Sequence, residues 1–179
     1  VARVLMNRGI DTPEAVEKFF NPSAAHLHDP FLMRDMDKAV ERIIRALEGR
    51  ERIAIYGDYD VDGITSASML YLFLKDLGGD VVPYIPDRQN EGYGISELGI
   101  QELQKSGATL IVSVDCGITS VKEAEFATSR GLDLIITDHH EPGVTIPVAH
   151  AICDPKREGC EYPFKELSGV GVAYKIAQG

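Results

Sequence analysis

"RIAIYGDYDVDGITS" occupies residues Arg52 to Ser66. Ile53 to Tyr56 is an apolar run that fits a short buried strand. Three aspartates follow at alternate positions, Asp58, Asp60 and Asp62, with Gly57 and Gly63 on either side. Beyond them, Thr65 to Leu77 reads as a helix. Like charges this close repel, and each raises its neighbour's pKa. A chain tolerates the crowding when a cation sits between the carboxylates, and a divalent metal ion fits best.

The same alternation continues outward. Asp80 to Ile85 reads as a strand, Ser96 to Ser106 as a helix and Thr109 to Val114 as a strand. Thr119 to Arg130 reads as a helix opened by a Ser120/Glu123 capping box. Leu132 to Ile136 and His150 to Cys153 read as strands. The strands at 109–114 and 132–136 are apolar at their centres, Leu110-Ile111-Val112 and Leu134-Ile135-Ile136, as strands buried on both faces are. The expected fold is α/β, a parallel sheet flanked by helices. Residues 1–50 read as a helical N-terminal extension. Asp11-Thr12-Pro13-Glu14 starts one helix, and a second begins near Asp35 or Asp37 and stops at Gly49. Helix 38–47 is expected to pack on the sheet domain, which occupies 51–179.

The 179 residues favour one domain with a proper core, since 44% are hydrophobic. A formal net charge of −10 argues against gripping nucleic acid through overall charge, but not against a local basic strip. Cys116, Cys153 and Cys160 are odd in number and lack metal-knuckle spacing, which fits a reducing cytoplasm. Cys116 reads as a small apolar filler. No apolar run approaches the roughly 18 residues that span a membrane. Both ends read as cut, so a fragment of a longer protein is expected.

In an open parallel sheet, ligands bind beyond the carboxyl ends of the strands. The strand at 109–114 ends in Asp115-Cys116-Gly117, and the strand at 132–136 in Thr137-Asp138-His139-His140-Glu141. The fold should therefore gather five aspartates and two histidines on one edge. Each piece alone has a plain reading as a capped turn or surface loop; together they point to a metal site. Oxygen-rich ligands with one or two imidazoles suit Mn²⁺ or Mg²⁺. Two such ions clamp a phosphate ester and acidify a shared water.

Gly-Asp-Tyr-Asp-Val-Asp-Gly, then Val-Asp-Cys-Gly, then Thr-Asp-His-His-Glu-Pro resembles the first three motifs of the DHH phosphoesterase superfamily. "LHDPFLMRDMDKAVERI" (27–43), "YIPDRQNEGYGIS" (84–96) and "CEYPFKELSGVGVAYK" (160–175) resemble its RecJ-type exonuclease branch, and the likeness covers essentially the whole chain. The resemblance implies metal-dependent, 5′-to-3′ hydrolysis of single-stranded DNA in repair and recombination, with two Mn²⁺ or Mg²⁺ ions. It implies that Asp60 and Asp62 ligate metal, with Asp58 nearby as ligand or support. Asp115 would bridge the ions, Asp138 would orient its neighbour, His139 would ligate and His140 would contact the scissile phosphate. It also implies a helicase and a single-strand-binding protein as partners. A fourth-motif aspartate and a second core domain are expected beyond Gly179; Asp154 lies too early to replace that aspartate.

Other residues remain open from pattern alone. Arg88 beside a glycine-rich loop suits a phosphate and Tyr93 suits a base, or both sit on a surface turn. The resemblance favours substrate contact. The Ser168-Gly169-Val170-Gly171 turn offers backbone N–H groups to a phosphate, or is a plain tight turn. Lys156-Arg157 reads as a solvated basic step, and His26 and His28 carry no assignment. The alternatives are a DHH-type oligonucleotide or nucleotide phosphoesterase, or a non-catalytic DNA-replication scaffold of the same fold. Intact acidic motifs count against the scaffold.

Overall fold

The computed structural model describes residues 1–179. The five expected strands are all present: β1 (Arg52–Gly57), β2 (Asp80–Tyr84), β3 (Ala108–Val114), β4 (Asp133–Thr137) and β5 (Ala151–Cys153). They form one parallel sheet in the order β2-β1-β3-β4-β5. The helices are α1 (Ala2–Met6), α2 (Pro13–Phe20), α3 (Met36–Glu48), α4 (Val61–Asp76), α5 (Glu97–Lys105), α6 (Val121–Ser129) and α7 (Gly169–Gln178).

Alternation along the strands divides the core in two. Ile53, Ile55, Leu110, Val112 and Ile135 face one side, where α3, α4 and α7 pack on them. Ala54, Tyr56, Ile111, Leu134 and Ile136 face the other, against Ile100 and Leu103 of α5 and Ala124 and Ala127 of α6. Both faces are covered, which is why the central strands carry no polar alternation. Met36, Ala39, Ile43 and Ala46 place α3 in the first core, as expected for helix 38–47. Arg42 fastens it at the amino edge, donating from Nε to Asp133 Oδ2 and from Nη2 to Glu51 Oε2, each at 2.6 Å.

Three local expectations shift. The α2 cap is Thr12, whose Oγ1 accepts from the Ala15 amide at 3.1 Å; Asp11 lies one residue too early. Ser120 stands at the start of α6, but its side chain makes no capping bond, so the capping box does not form. The change that matters most is in α4, which begins at Val61 and not at Thr65. Asp60 is its cap, with Oδ1 accepting from the Gly63 amide at 2.9 Å. The acidic run is therefore a strand end joined directly to a helix start, with Asp62 in the first turn.

That junction explains Gly63. A Cβ there would lie 2.6 Å from the backbone carbon and nitrogen of Asp58. Only a bare backbone lets the first turn of α4 cross the end of β1. Gly63→Ala should therefore lower stability by about 1–3 kcal/mol, read as a drop in the thermal unfolding midpoint. An unchanged midpoint would show that α4 is not locked onto Asp58.

Candidate metal centre

The strand order reverses between β1 and β3, so a crevice opens at their carboxyl ends. Asp58 leaves β1 and Asp115 leaves β3, one on each side of it. Carboxylate oxygens of Asp58, Asp60 and Asp115 lie within 4.8 Å of one another. A second set of ligand atoms, from Asp115, His139 and His140, is equally compact. Asp115 belongs to both. Its backbone is left-handed (φ 62°), a cost for a non-glycine residue that the surrounding structure must impose. The Asp115 amide donates to Thr137 O at 2.9 Å, tying the β3 end to β4.

Burial and charge set the character of these acids. Asp115 is 1% exposed, and burial, reinforced by Asp62 and Asp60, pushes its carboxyl up to about 7. Burial, with Asp60 beside it, also raises Asp58. Asp58 Oδ1 and Asp115 Oδ1 are buried without a hydrogen-bond partner. His139 Nε2 approaches Asp115 Oδ1 to 3.1 Å, yet the contact lacks hydrogen-bond geometry. An imidazole nitrogen and a carboxylate oxygen that meet without bonding each other fit a shared cation. Asp62 Oδ2 lies 3.7 Å from the same nitrogen. A site of four aspartates and one histidine is hard and oxygen-rich, which suits Mn²⁺ or Mg²⁺.

The two histidines are held differently. Asp138 is buried, and its Oδ1 accepts from the amides of His139 (2.7 Å) and His140 (3.2 Å) while meeting His140 Nδ1 at 2.7 Å. Its Oδ2 accepts from the Ile118 amide at 2.9 Å. Burial alone would raise Asp138, but the His140 bond and these amides hold it below the usual carboxylate range. The ring Asp138 orients is His140, and the same bond raises that imidazole to about 8.

On its far side, His140 Nε2 lies 3.4 Å from the Tyr93 hydroxyl. Tyr93 meets both His140 and Tyr59 edge-on, and Arg88 lies over the Tyr59 ring at 5.1 Å. Arg88 and Tyr93 thus stand beside the centre. Tyr59 was missed; its signal was an aromatic ring set inside the acidic run.

The Ser168–Gly171 turn requires a correction. The Gly169 and Val170 amides donate to Asp62 Oδ2 (2.7 Å) and Oδ1 (2.8 Å). The Gly171 amide donates to Ser168 Oγ. The anion held at the start of α7 is the chain's own Asp62, so the Gly169 and Gly171 amides are not free for a substrate. A Cβ on Gly169 would lie 2.6 Å from Asp115 Cβ, which is why this turn is bare. Each Asp62 oxygen keeps a second lone pair for a cation. Asp154, at the end of β5, is fully buried with Oδ2 unpartnered, but it belongs to neither ligand set.

Residues 52–179 match the DHH family, N-terminal domain. The chain belongs to the DHH family. It is 50% identical over 177 residues to the single-stranded-DNA-specific exonuclease RecJ of Bacillus subtilis, covering 99% of this chain and 22% of the relative. The crystal structure of exonuclease RecJ bound to manganese matches at 36% identity and TM-score 0.73, covering 81% of this chain and 37% of the other. That of RecJ in complex with Mn²⁺ from Thermus thermophilus matches at 29% identity and TM-score 0.74, covering 97% and 23%. The chain thus spans about a fifth of the length of its Bacillus subtilis DHH relative. The family and parallel-sheet fold expected from the motifs are both borne out.

Two outcomes test this electrostatic picture. Asp138→Asn should move the His140 titration from about 8 down towards about 6.5, followed by NMR; an unmoved value would mean Asp138 does not hold the ring. Asp115 and Asp154 both sit at about 7 in the folded chain, above their ordinary value of 3.8. The folded state therefore binds more protons than the unfolded state between these values. The metal-free chain should lose stability as pH rises from about 4 to about 7, measured by denaturant unfolding. Flat or rising stability over that window would overturn the assignment.

Proposed function

We propose that this chain is the metal-binding part of a nuclease core that hydrolyses single-stranded DNA from its 5′ end, with Mn²⁺ or Mg²⁺. The observation that carries the reading is the pair of buried, unpartnered oxygens, Asp58 Oδ1 and Asp115 Oδ1, at the strand-order switch, with His139 Nε2 3.1 Å from the Asp115 oxygen. Relatives named single-stranded-DNA-specific exonucleases supply the substrate class. The 5′-to-3′ direction, a role in repair and recombination and the helicase and single-strand-binding partners follow from the resemblance; a cytoplasmic setting follows from the three free cysteines. Residues 51–179 would be the phosphoesterase domain, with 1–50 as its helical extension.

Asp58, Asp60, Asp62, Asp115 and His139 would hold the metal, two ions in the complete protein. Bound there, the metal supplies charge neutralisation at the phosphate and a water acidified for in-line attack. His140 stays largely protonated at neutral pH because Asp138 holds its Nδ1. It can therefore donate from Nε2 to a phosphate oxygen as negative charge grows there. The Arg88 guanidinium, set over Tyr59, can hold a neighbouring phosphate. Tyr93, 56% exposed, offers its ring to a base.

The deciding experiment uses the full-length protein that contains this chain. With Mn²⁺, it should release nucleotides from the 5′ end of a single-stranded oligonucleotide and spare a blunt duplex. Asp115→Ala should reduce the rate by more than about a hundredfold, since even residues that only support metal ligands cost 10–100-fold. Calorimetry should show Mn²⁺ binding to the parent and none to the variant. Activity that survives Asp115→Ala would sink the reading.

A further inference from the structure

A cavity of about 200 Å³ lies where the loop after β4 meets the loop after β5. Arg34, Arg157, Glu158, Gly143 and Val144 help to line it. Arg157 is 11% exposed in its side chain. Its Nη1 donates to Asp35 and to Ile152 O, while its Nε is buried with no partner. Arg34 donates from Nη1 to Glu158 O at 2.7 Å and is otherwise exposed.

The charge around the cavity is unbalanced. Asp35 is shared between Arg157 and Lys38. Glu141 pairs with Lys156 at 3.2 Å, and the Glu158 side chain is exposed. Arg34, Arg157 and Lys38 are answered only by Asp35 and the exposed Glu158, and this surplus of cation beside the cavity calls for an anion. Planar N–H forks match phosphate geometry better than a point charge does. Pro142 and Gly143 follow directly on His139-His140-Glu141, so the cavity lies on the same sheet edge as the metal centre. Lys156-Arg157, read from sequence as a solvated step, therefore divides its work: Lys156 links the two loops and Arg157 turns inward.

We propose that the Arg34/Arg157 cavity is a phosphate-binding subsite that takes a phosphodiester group of the strand whose end reaches the metal centre. The proposal rests on the nuclease reading for the identity of the strand. It is tested by NMR on this chain in EDTA, with two probes: inorganic phosphate, and a single-stranded oligothymidylate without terminal phosphate.

The oligonucleotide should shift the Gly143, Val144, Glu158 and Gly159 amides saturably. Arg34→Gln and Arg157→Lys should each weaken that binding at least about tenfold, the loss expected for one hydrogen bond to a charged group. Arg157→Lys keeps a cation opposite Asp35, so it removes the planar guanidinium while retaining the ion pair. No saturable shift with either probe, or shifts that neither variant changes, would overturn the subsite. Shifts with inorganic phosphate alone would overturn the strand assignment. Mn²⁺ added afterwards reads the metal centre separately, by broadening at Asp115 and His139. Its failure there would count against the nuclease reading and leave the phosphate shifts standing.

Discussion

Repulsion among carboxylates at the β1/β3 switch point governs this structure. Burial would ordinarily neutralise or exclude such groups. Here β1, β3 and the first turn of α4 aim Asp58, Asp60, Asp62 and Asp115 at one crevice, with His139 closing it from β4. The backbone accepts strain to do so in the left-handed Asp115, and the bare crossings at Gly63 and Gly169 leave room for the close approach. A fold stabilised only for its own sake would have no use for that arrangement. A cation resolves it, because one charge answers several.

The pair His139-His140 shows how adjacent identical residues come to differ. Both amides donate to Asp138 Oδ1 in a bend, and the two rings lie side by side with centroids 4.6 Å apart. Only their partners differ: one imidazole meets Asp115, and the other meets Asp138 through Nδ1. The ring facing the acids suits a neutral ligand, whereas the ring on Asp138 is biased towards the cation. Chemistry is thus divided between two side chains by a single peptide unit.

Much of this was legible in the sequence because it rests on periodicity and on where strands end. The apolar runs at 53–56, 109–114 and 132–136 placed the central strands, and the residues after them named the acids and histidines of the site. What escaped depended on contacts between distant segments. Nothing local to Ser168-Gly169-Val170-Gly171 says that its amides are already taken by Asp62, 107 residues away. Nothing local to Tyr59 says that Arg88 lies over its ring. The α4 start was misplaced for a local reason. Asp, Val and Gly are poor helix interiors, but a first turn capped by Asp60 and packed on Asp58 overrides that preference.

The two amides that α7 gives to Asp62 make that carboxylate a mechanical member as well as an electrostatic one. A helix start normally takes its cap from the residue just before it; α7 does so at Ser168 and takes a carboxylate from the first turn of α4 as well. Whatever polarises Asp62 also changes the grip on α7, and whatever pulls on α7 displaces an acid of the centre. Occupancy of the crevice and the seating of this helix are therefore two readings of one equilibrium, and the strength of each sets the stiffness of the other.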